Sequence, residues 1–475
     1  MKIKRSIFIA LILILTTLTG CQKDTREELI LVTEAGFAPY EYYQNGEIVG
    51  VDIDIVKEIA KRLNKKLVIK DVAFDSIINE VRTGKSDIGA AGISYTEERA
   101  KQVDFTINYY ESNQVIIVNE NSNITEPKDL YYKKVAVQLG SVADSYLTEN
   151  YLSTNIVREK KYLAAIEDLK GNKVDAVVMD YLPATKLITE DMKILDSYLT
   201  SDNYGMIVRT GNKELLRVSN EVIKELKEKG KIEEFLEKHE TKNENTLSSI
   251  KDKFYYSIIY DNRYKYIIEG LKNTCLMALL SVIIGTIVGG LLAIIRNYHD
   301  STGNLKILNK ISKIYVTVIR GTPSILQLMI IYYVLFKSID INIVLVGVIA
   351  FSINSSAYVA EIIRAGFNST DNGQIEAGYA LGLKYNQVMK YIILPPSIRN
   401  ILPALGNEFI TLVKETSVGA YIGIVELTKA SDIIASGTYD YFFPLIIIAL
   451  IYLIITFILS KLVNKIERRL SNARN

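Results

Sequence analysis

The pattern of apolar and polar residues changes near the middle of the chain. Between residues 28 and 240, short runs of aliphatic residues alternate with stretches in which apolar residues recur every three or four positions. This alternation is typical of βαβ units with a mainly parallel sheet. From residue 266 onward, long runs such as 276–295 and 442–459 carry almost no charge, and apolar runs of about 18 residues predict membrane-spanning helices. The chain is therefore predicted to be half soluble and half membrane protein.

The soluble half repeats one order of strands and helices. The first round predicts strands and helices, in chain order, at 29–33, 53–63, 67–72, 74–83 and 87–91. The second round predicts them at 134–138, 143–151, 162–170 and 176–179. We expect the chain to cross between the rounds near 115–118 and to return near 205–208. Two crossings predict two lobes with a cleft between them, followed by closing helices over 213–239.

The membrane half predicts five spanning helices and a topology. The spans are expected near 267–295, 314–336, 341–363, 400–425 and 441–461. Lys and Arg residues gather after the first span, between the third and fourth, and after the fifth. Because cytoplasmic loops carry the excess of basic residues, the C-terminus is predicted to be cytoplasmic and the N-terminal domain extracellular. A polar and then aromatic stretch, 241–265, is predicted to be the linker to the membrane.

The first residues are typical of a targeting segment. Lys2, Lys4 and Arg5 precede a short apolar run at 7–18. The following Leu18-Thr19-Gly20-Cys21 resembles the cleavage box of bacterial lipoproteins, in which the cysteine is lipidated and becomes the mature N-terminus. This resemblance implies that residues 1–20 are removed and that Cys21 carries a lipid. An uncleaved signal anchor is the alternative.

Composition excludes several classes of function. The formal net charge is +2 and no long basic block occurs, so nothing favours nucleic acid as a partner. With two cysteines and two histidines, neither a disulfide framework nor a metal site is expected. The segment 84–86 ends like a phosphate-binding loop, but Asn79 stands where that loop requires glycine. Neither ATP binding nor a cofactor is therefore predicted for this chain.

The segment between the third and fourth predicted spans contains a specific motif. It resembles the E-A-A-x3-G-x9-I-x-L-P loop of ABC-importer permeases. The matching positions are Glu376, Ala377, Gly382, Ile392, Leu394 and Pro395, and Gly378 replaces the second alanine. In that family the loop forms a short cytoplasmic helix that sits in a groove of a separate ATPase subunit. An ordinary basic cytoplasmic loop is the alternative.

Two further segments resemble the polar-amino-acid subfamily of these permeases. Arg320-Gly321-Thr322-Pro323 matches one of its elements, and Lys414-Glu415-Thr416-Ser417 matches another. Ionisable groups at membrane depth are costly, so they face each other or a cavity. Lys414 and Glu415 either neutralise one another or line the substrate path near a broken helix.

The N-terminal domain resembles the solute-binding proteins of the same transporters over nearly its whole length. The resemblance rests on the segments 34–40, 50–54, 92–99, 140–141 and 178–180. It implies a two-lobed α/β domain of the type II periplasmic-binding-protein class over 26–240. An all-α permease domain of five helices over 266–475 would follow.

The resemblance also implies a pocket for a free amino acid. Arg99 offers a two-pronged donor for the ligand carboxylate. Donors at Gly92, Ser94 and Ser141 would complete the carboxylate site, and Asp180 would accept the ammonium group. Taken alone, Arg99 is as easily a surface arginine and Asp180 as easily a helix cap.

Other positions would meet the ligand side chain. Phe37 and Phe74 match the aromatic residues that enclose the ligand stem in the family, although either could be a core residue. Glu34 would face the far end of the ligand, which suits a basic side chain, an amide or the second ammonium of cystine. Gln138 occupies a position that is often charged in the family, and Asp52 is expected to support the fold.

Together these features predict the binding and membrane subunit of an ABC importer in the bacterial plasma membrane. The resemblance implies a permease homodimer and a separate ATPase subunit, and the chain itself is not expected to be an enzyme. The rival hypothesis is a ligand-gated ion channel, because ionotropic receptors share the two-lobed domain. Those channels interrupt the binding domain with their pore, whereas this domain runs unbroken to about residue 240.

Overall fold

The computed structural model of the chain describes residues 27–44, 47–240, 250–337, 339, 341–438 and 440–472. The predicted signal peptide, Cys21 and the first part of the predicted linker lie outside the described residues. The remainder forms an α/β domain followed by a helical domain. This division matches the change of pattern in the sequence.

The α/β domain contains two five-stranded sheets and a short hairpin. Its strands are β1 Glu28–Thr33, β2 Tyr42–Gln44, β3 Glu47–Val49, β4 Lys66–Asp71, β5 Ile88–Gly89, β6 Asp104–Phe105, β7 Tyr110–Asn119, β8 Lys134–Gln138, β9 Asn155–Glu159, β10 Ala176–Asp180, β11 Met192–Tyr204 and β12 Ile207–Val208. The first sheet has the order β4-β1-β5-β12-β6 and the second β11-β7-β10-β8-β9. In both sheets the parallel ladders are joined by antiparallel ones, so the sheets are mixed rather than mainly parallel.

The chain crosses between the two sheets twice. It leaves the first sheet after β6 and enters the second at the start of β7, and it returns between β11 and β12. The predicted first crossing at 115–118 is wrong, because these residues are the buried centre of β7. An apolar run there marks a core strand rather than a connection. The return near 205–208 lies where the sequence predicts it.

Eight helices of the α/β domain flank the sheets. They are α1 Val51–Arg62, α2 Ile77–Arg82, α3 Glu97–Ala100, α4 Val142–Asn150, α5 Tyr162–Lys170, α6 Tyr181–Leu187, α7 Lys213–Glu228 and α8 Lys231–His239. Acidic residues in the first turn of α1 and basic residues in its last turn complement the helix dipole. Gly50 precedes α1 with a φ of 138°, and a Cβ there would lie 2.0 Å from the Tyr40 carbonyl oxygen. This close approach packs the start of α1 against the backbone of Tyr40 and Glu41.

The helical domain contains three helices that are long and apolar enough to cross a membrane. Its helices are α9 Ile250–Phe254, α10 Tyr264–Thr302, α11 Lys306–Arg320, α12 Ser324–Ile330, α13 Ile343–Phe367, α14 Asn372–Ala380, α15 Tyr385–Val388, α16 Leu394–Glu415, α17 Leu427–Thr438 and α18 Phe442–Asn472. The three are α10, α13 and α18. The helical segments Lys306–Arg320 and Ser324–Leu335 meet the same test only together, and the chain bends by 108° between them.

The predicted fourth span has a different form from the other spans. Helix α16 begins with two prolines, contains Pro403 and ends in charged residues, after which the chain tightens into a 3₁₀ segment, Thr416–Ile422. These features keep α16 out of the set of long apolar helices. Among the described residues the structure therefore offers three spans, or four with the bent pair, and the count of five stays a prediction.

Helix α17 of the helical domain packs against the α/β domain. Ala435 is fully buried in the hydrophobic core that the α/β domain builds. Gly423, just before α17, has a φ of 87°, and a Cβ there would lie 2.9 Å from the Asp71 carbonyl oxygen. The end of β4 therefore rests directly on the helical domain, and only glycine allows so close an approach at this position.

Candidate functional site

A cavity between the two lobes is lined by all nine residues predicted to bind the ligand. They are Glu34, Phe37, Phe74, Gly92, Ser94, Arg99, Gln138, Ser141 and Asp180. The cavity has a volume of about 10 Å³, about the space that one water molecule requires. The lobes are thus nearly closed, and a larger ligand would enter only when they part.

Arg99 lies at the meeting point of the lobes. It belongs to α3, where the Thr96 hydroxyl caps the helix by accepting the Arg99 N–H at 3.2 Å. One guanidinium nitrogen donates to the Ser94 carbonyl at 2.7 Å and another to the Gly140 carbonyl, in the other lobe, at 2.8 Å. Burial lowers the pKa of Arg99, which is 8% exposed. A buried cation without a bonded carboxylate is suited to receive one from a ligand.

Asp180 ends strand β10 and faces the cavity. The Tyr204 hydroxyl donates to its carboxylate. Burial raises the pKa of Asp180. The side chain makes no capping hydrogen bond to α6, so the structure favours a role in the cavity over the helix-cap alternative.

The three predicted donors for the carboxylate have other partners in the structure. The Gly92 N–H donates to Asp52 Oδ2 at 3.0 Å, and the Ser94 hydroxyl donates to Asp202. The Ser141 hydroxyl caps α4 by accepting the Asp144 N–H at 3.2 Å. Asp52 supports the floor of the cavity, as expected from the sequence.

Gly92 has no side chain and so leaves room for the Phe37 ring in the cavity wall. Its φ is 53°, and a Cβ would lie 2.7 Å from the Phe37 ring. The Phe37 ring stacks on Tyr162 from the second lobe, with centroids 5.7 Å apart. The Phe74 ring lies 5.6 Å from the Arg99 guanidinium carbon. The aromatic wall of the cavity thus combines two predicted rings with Tyr162.

Glu34 lies at the edge of the cavity and is paired. Lys161 Nζ lies 3.3 Å from Glu34 Oε1, and Gln138 Nε2 lies 3.5 Å from Glu34 Oε2. Burial raises the pKa of Glu34, and Lys161 opposes that effect. Gln138 also donates to the Lys160 carbonyl at 3.0 Å.

Sequence reasoning missed five residues at or beside the cavity: Glu41, Gln114, Lys161, Tyr162 and Asp202. Glu41 directly follows a segment that resembles the family, which was an available signal. Gln114 and Asp202 lie on the crossing strands β7 and β11, and no motif marks them. Burial and the neighbouring Asp180 raise the pKa of Asp202 to about 7.

The predicted ATPase-coupling loop forms a short helix, α14, that carries Glu376 and Ala377. Asp371 caps this helix by accepting the N–H groups of Gly373 and Gln374. Gly382 follows with a φ of 83°, and no atom lies within 4 Å of a Cβ built there. Nearby Leu381 is 83% exposed. The loop presents an apolar side chain at the surface.

The structure explains two further positions of the loop. Pro395 stands in the first turn of α16, where a missing N–H is harmless. Gly378 replaces the alanine of the motif, and a Cβ there would lie 2.4 Å from Ile392 Cδ1. The departure is therefore explained by the packing of Ile392 against α14.

Lys414 and Glu415 form the last turn of α16. Lys414 is exposed and Glu415 is half-buried. A separate cavity of about 560 Å³ lies beside the bend after α11, and its lining includes Arg296, Arg320 and Glu361 but neither residue of this pair. Their part in a substrate path stays a prediction.

Two family models match separate parts of the chain. The model described as bacterial extracellular solute-binding proteins, family 3, matches residues 29–242. The model described as binding-protein-dependent transport system inner membrane component matches residues 281–472. The first match covers the α/β domain, and the second covers the helical domain from within α10 onward.

Similar proteins carry the names of amino-acid permeases. A putative glutamine transport system permease protein of Rickettsia bellii (strain RML369-C) is 38% identical over 219 residues, which cover 46% of this chain and 98% of that protein. The arginine transport system permease protein of Bacillus subtilis (strain 168) is 40% identical over 209 residues, which cover 44% of this chain and 93% of that protein.

Solved structures with matching sequences include an amino-acid-binding protein. The crystal structure of the substrate binding protein of an amino acid ABC transporter is 37% identical and aligns with 45% of this chain and 98% of its own, with a TM-score of 0.43. An ancestral arginine-binding protein bound to glutamine is 38% identical with the same coverage and TM-score.

Proposed function

This chain belongs to the polar amino-acid importers of the ABC type in which a solute-binding domain is fused to a permease, and we propose that it captures a polar L-amino acid and passes it across the bacterial plasma membrane. A separate ATPase subunit supplies the energy. Two observations support the proposal: one chain carries both domains, and Ala435 of the helical domain is buried in the core of the α/β domain.

The observation that carries the ligand class is the pairing of Arg99 and Asp180 in one buried cavity. An α-amino acid presents a carboxylate and an ammonium group, and each has an oppositely charged partner there. Phe37 and Tyr162 offer an apolar wall for the stem of the ligand. Glu34 and Gln138 face the side chain, which favours a basic or glutamine-like amino acid or cystine.

The transport cycle follows from this arrangement. The lobes close on the amino acid, the closed domain rests on the permease, and release follows into a path between permease helices. Two permease chains pair as a homodimer, each with five spans, an extracellular binding domain and a cytoplasmic C-terminus. The ATPase subunits act through the loop that contains Glu376, Ala377, Gly382 and Pro395, and a lipid on Cys21 tethers the mature N-terminus.

The ligand-gated channel has no support among the matches. Both relatives described above are named as transport permeases, and the permease model covers 281–472. No feature of the described residues favours a channel over an importer. The importer therefore stands as the proposed function.

A thermal-shift screen of residues 26–240 against the common amino acids and cystine tests the ligand class. We expect one polar amino acid, or a small group of them, to raise the melting temperature, because a ligand that binds only the folded state stabilises it. The same ligand should raise the melting temperature of an Arg99→Ala domain by less than that of the wild-type domain. No shift with any amino acid at millimolar concentration would contradict the proposal.

A further inference from the structure

Four charged side chains meet where the binding domain rests on helix α17. Lys429 of α17 lies 2.7 Å from Asp71 Oδ2, and Lys161 Nζ lies 3.3 Å from Glu34 Oε1. These four side chains, which we term the charge cluster, are between 4% and 13% exposed. The first lobe supplies both acids, the second lobe supplies Lys161 and the permease supplies Lys429.

The charge cluster reaches the ligand cavity. Glu34 lines the cavity. Asp71, which pairs with the permease lysine, also accepts the N–H of Ala35 at 3.0 Å. Lys161 is held in turn by the Ser436 hydroxyl of α17 at 3.0 Å. Lys429 is therefore connected to the cavity wall through Asp71, which is bonded to Ala35, the residue that follows Glu34.

The charge balance of the cluster changes when α17 is absent. In the docked chain, two carboxylates face two ammonium groups. Burial alone would raise the pKa of Asp71, but Lys429 and Lys161 hold it below its ordinary value. Lys429 also acts on Glu34 and favours its charged form. Without α17, Lys161 loses the nearby carboxylate of Asp432, which also belongs to α17. Glu34 loses the positive charge of Lys429 and keeps that of Lys161, so its carboxylate is more available to a cation.

We propose that Lys429, although it belongs to the permease, is a specificity-determining residue of the ligand cavity. Docking adds a positive charge beside Glu34, and a cationic ligand side chain competes for the same carboxylates. Docking therefore shifts the preference of the cavity away from an amino acid with a cationic side chain and towards a neutral amide. This inference rests on the proposed function and assigns the cationic amino acids as the class released by contact with α17.

Binding of L-arginine and L-glutamine to the full chain in lipid nanodiscs tests the inference. Calorimetry measures the dissociation constants of the two amino acids. If one of them binds too weakly for direct titration, its constant is measured by competition with the other. In Lys429→Gln, the affinity for arginine relative to that for glutamine should rise by about fivefold or more. This factor is the lower end of the range for coupling between two sites. Lys429→Arg keeps the charge and should restore the wild-type ratio. Tyr421→Leu removes a contact with Lys160, 3.2 Å from its ring, and should leave the ratio unchanged.

Glu34→Gln shows whether the effect passes through the cavity. In that background Lys429→Gln should no longer change the ratio. Glutamine binding reports folding of each variant, and Lys429→Met replaces Lys429→Gln if the latter does not fold. A ratio that is equal in wild type and Lys429→Gln, or a change that persists without Glu34, would overturn the inference while the proposed function stands. A wild-type chain that binds no amino acid would overturn both.

Discussion

Arg99 is held by one backbone carbonyl from each lobe, so its position depends on the closing of the cleft. We expect Arg99→Ala to weaken amino-acid binding by about 2 kcal/mol or more, because the ligand carboxylate would be buried without a charged partner. This is about a 30-fold change in dissociation constant, measurable by calorimetry. Arg62→Ala, which removes an exposed arginine paired with Glu225, is the control. Equal affinity in wild type and Arg99→Ala would exclude Arg99 from the site.

We expect the stability of the binding domain to depend on pH through Asp202. Burial and Asp180 raise its pKa from 3.8 to about 7. Between these values the folded state holds a proton that the unfolded state has released, so stability falls as pH rises and falls no further above about pH 7. Asp202→Asn should therefore flatten the decline between pH 5 and 8, by up to about 3 kcal/mol.

Thermal unfolding of residues 26–240 at each pH checks the Asp202 prediction. Glu111→Gln, which changes an exposed carboxyl on β7, is the control. A pH profile in Asp202→Asn that follows the wild type would show that Asp202 ionises normally in the folded domain.

The residues that sequence reasoning found and missed differ in how they reach the cavity. Arg99 and Asp180 stand at the ends of elements and belong to segments that resemble a family, so both were predictable. Tyr162 and Lys161 meet Phe37 and Glu34 only because the second lobe closes on the first. A contact between lobes depends on their relative position, which no periodicity in the chain encodes.

At the scale of single elements, the coupling loop offers a clean comparison between two glycines. Gly382 follows α14 and Gly303 follows α10, both with positive φ and with no atom within 4 Å of an added Cβ. Any other residue costs about 1 kcal/mol or more at either position. Gly382→Trp should abolish uptake and the stimulation of the ATPase, because the bulky ring would exclude the partner surface. Gly303→Trp should retain both.

Uptake into vesicles and ATPase activity with the partner subunit measure the two glycine variants. Amino-acid binding to the outer domain should be equal in both, since that domain has its own core. Gly382→Trp that transports at the rate of Gly303→Trp would count against this loop as the coupling site.

The membrane helices show a second limit of prediction from sequence. Apolar length correctly located α10, α13 and α18. The 108° bend between Lys306–Arg320 and Ser324–Leu335 lies at Gly321 and Pro323. These two residues predict a break in the helix but not its angle. The predicted span at 400–425 ends in charged residues and 3₁₀ turns, where hydropathy alone is a weak guide. Broken helices of this kind depend on neighbouring helices to satisfy the backbone.

At the scale of the whole molecule, the contact between the domains depends on both lobes. The first lobe reaches the permease through Asp71 and the second through Lys161. A helix that touches both lobes favours one separation between them. We therefore expect the permease to favour the closed domain over the open one, which ties ligand capture to docking.

The topology of the whole chain can be tested with two matched leucines. Leu152 in the binding domain is 86% exposed and Leu381 in the coupling loop is 83% exposed. In a Cys275→Ser background, a membrane-impermeant maleimide should label Leu152→Cys on intact cells, because the proposed topology places the binding domain outside the cell. It should label Leu381→Cys only after the membrane is opened, because the proposed topology places the basic loops in the cytoplasm. The Cys275→Ser parent reports any labelling of Cys21. Labelling of Leu381→Cys on intact cells would place the loop outside, where no ATPase subunit could reach it.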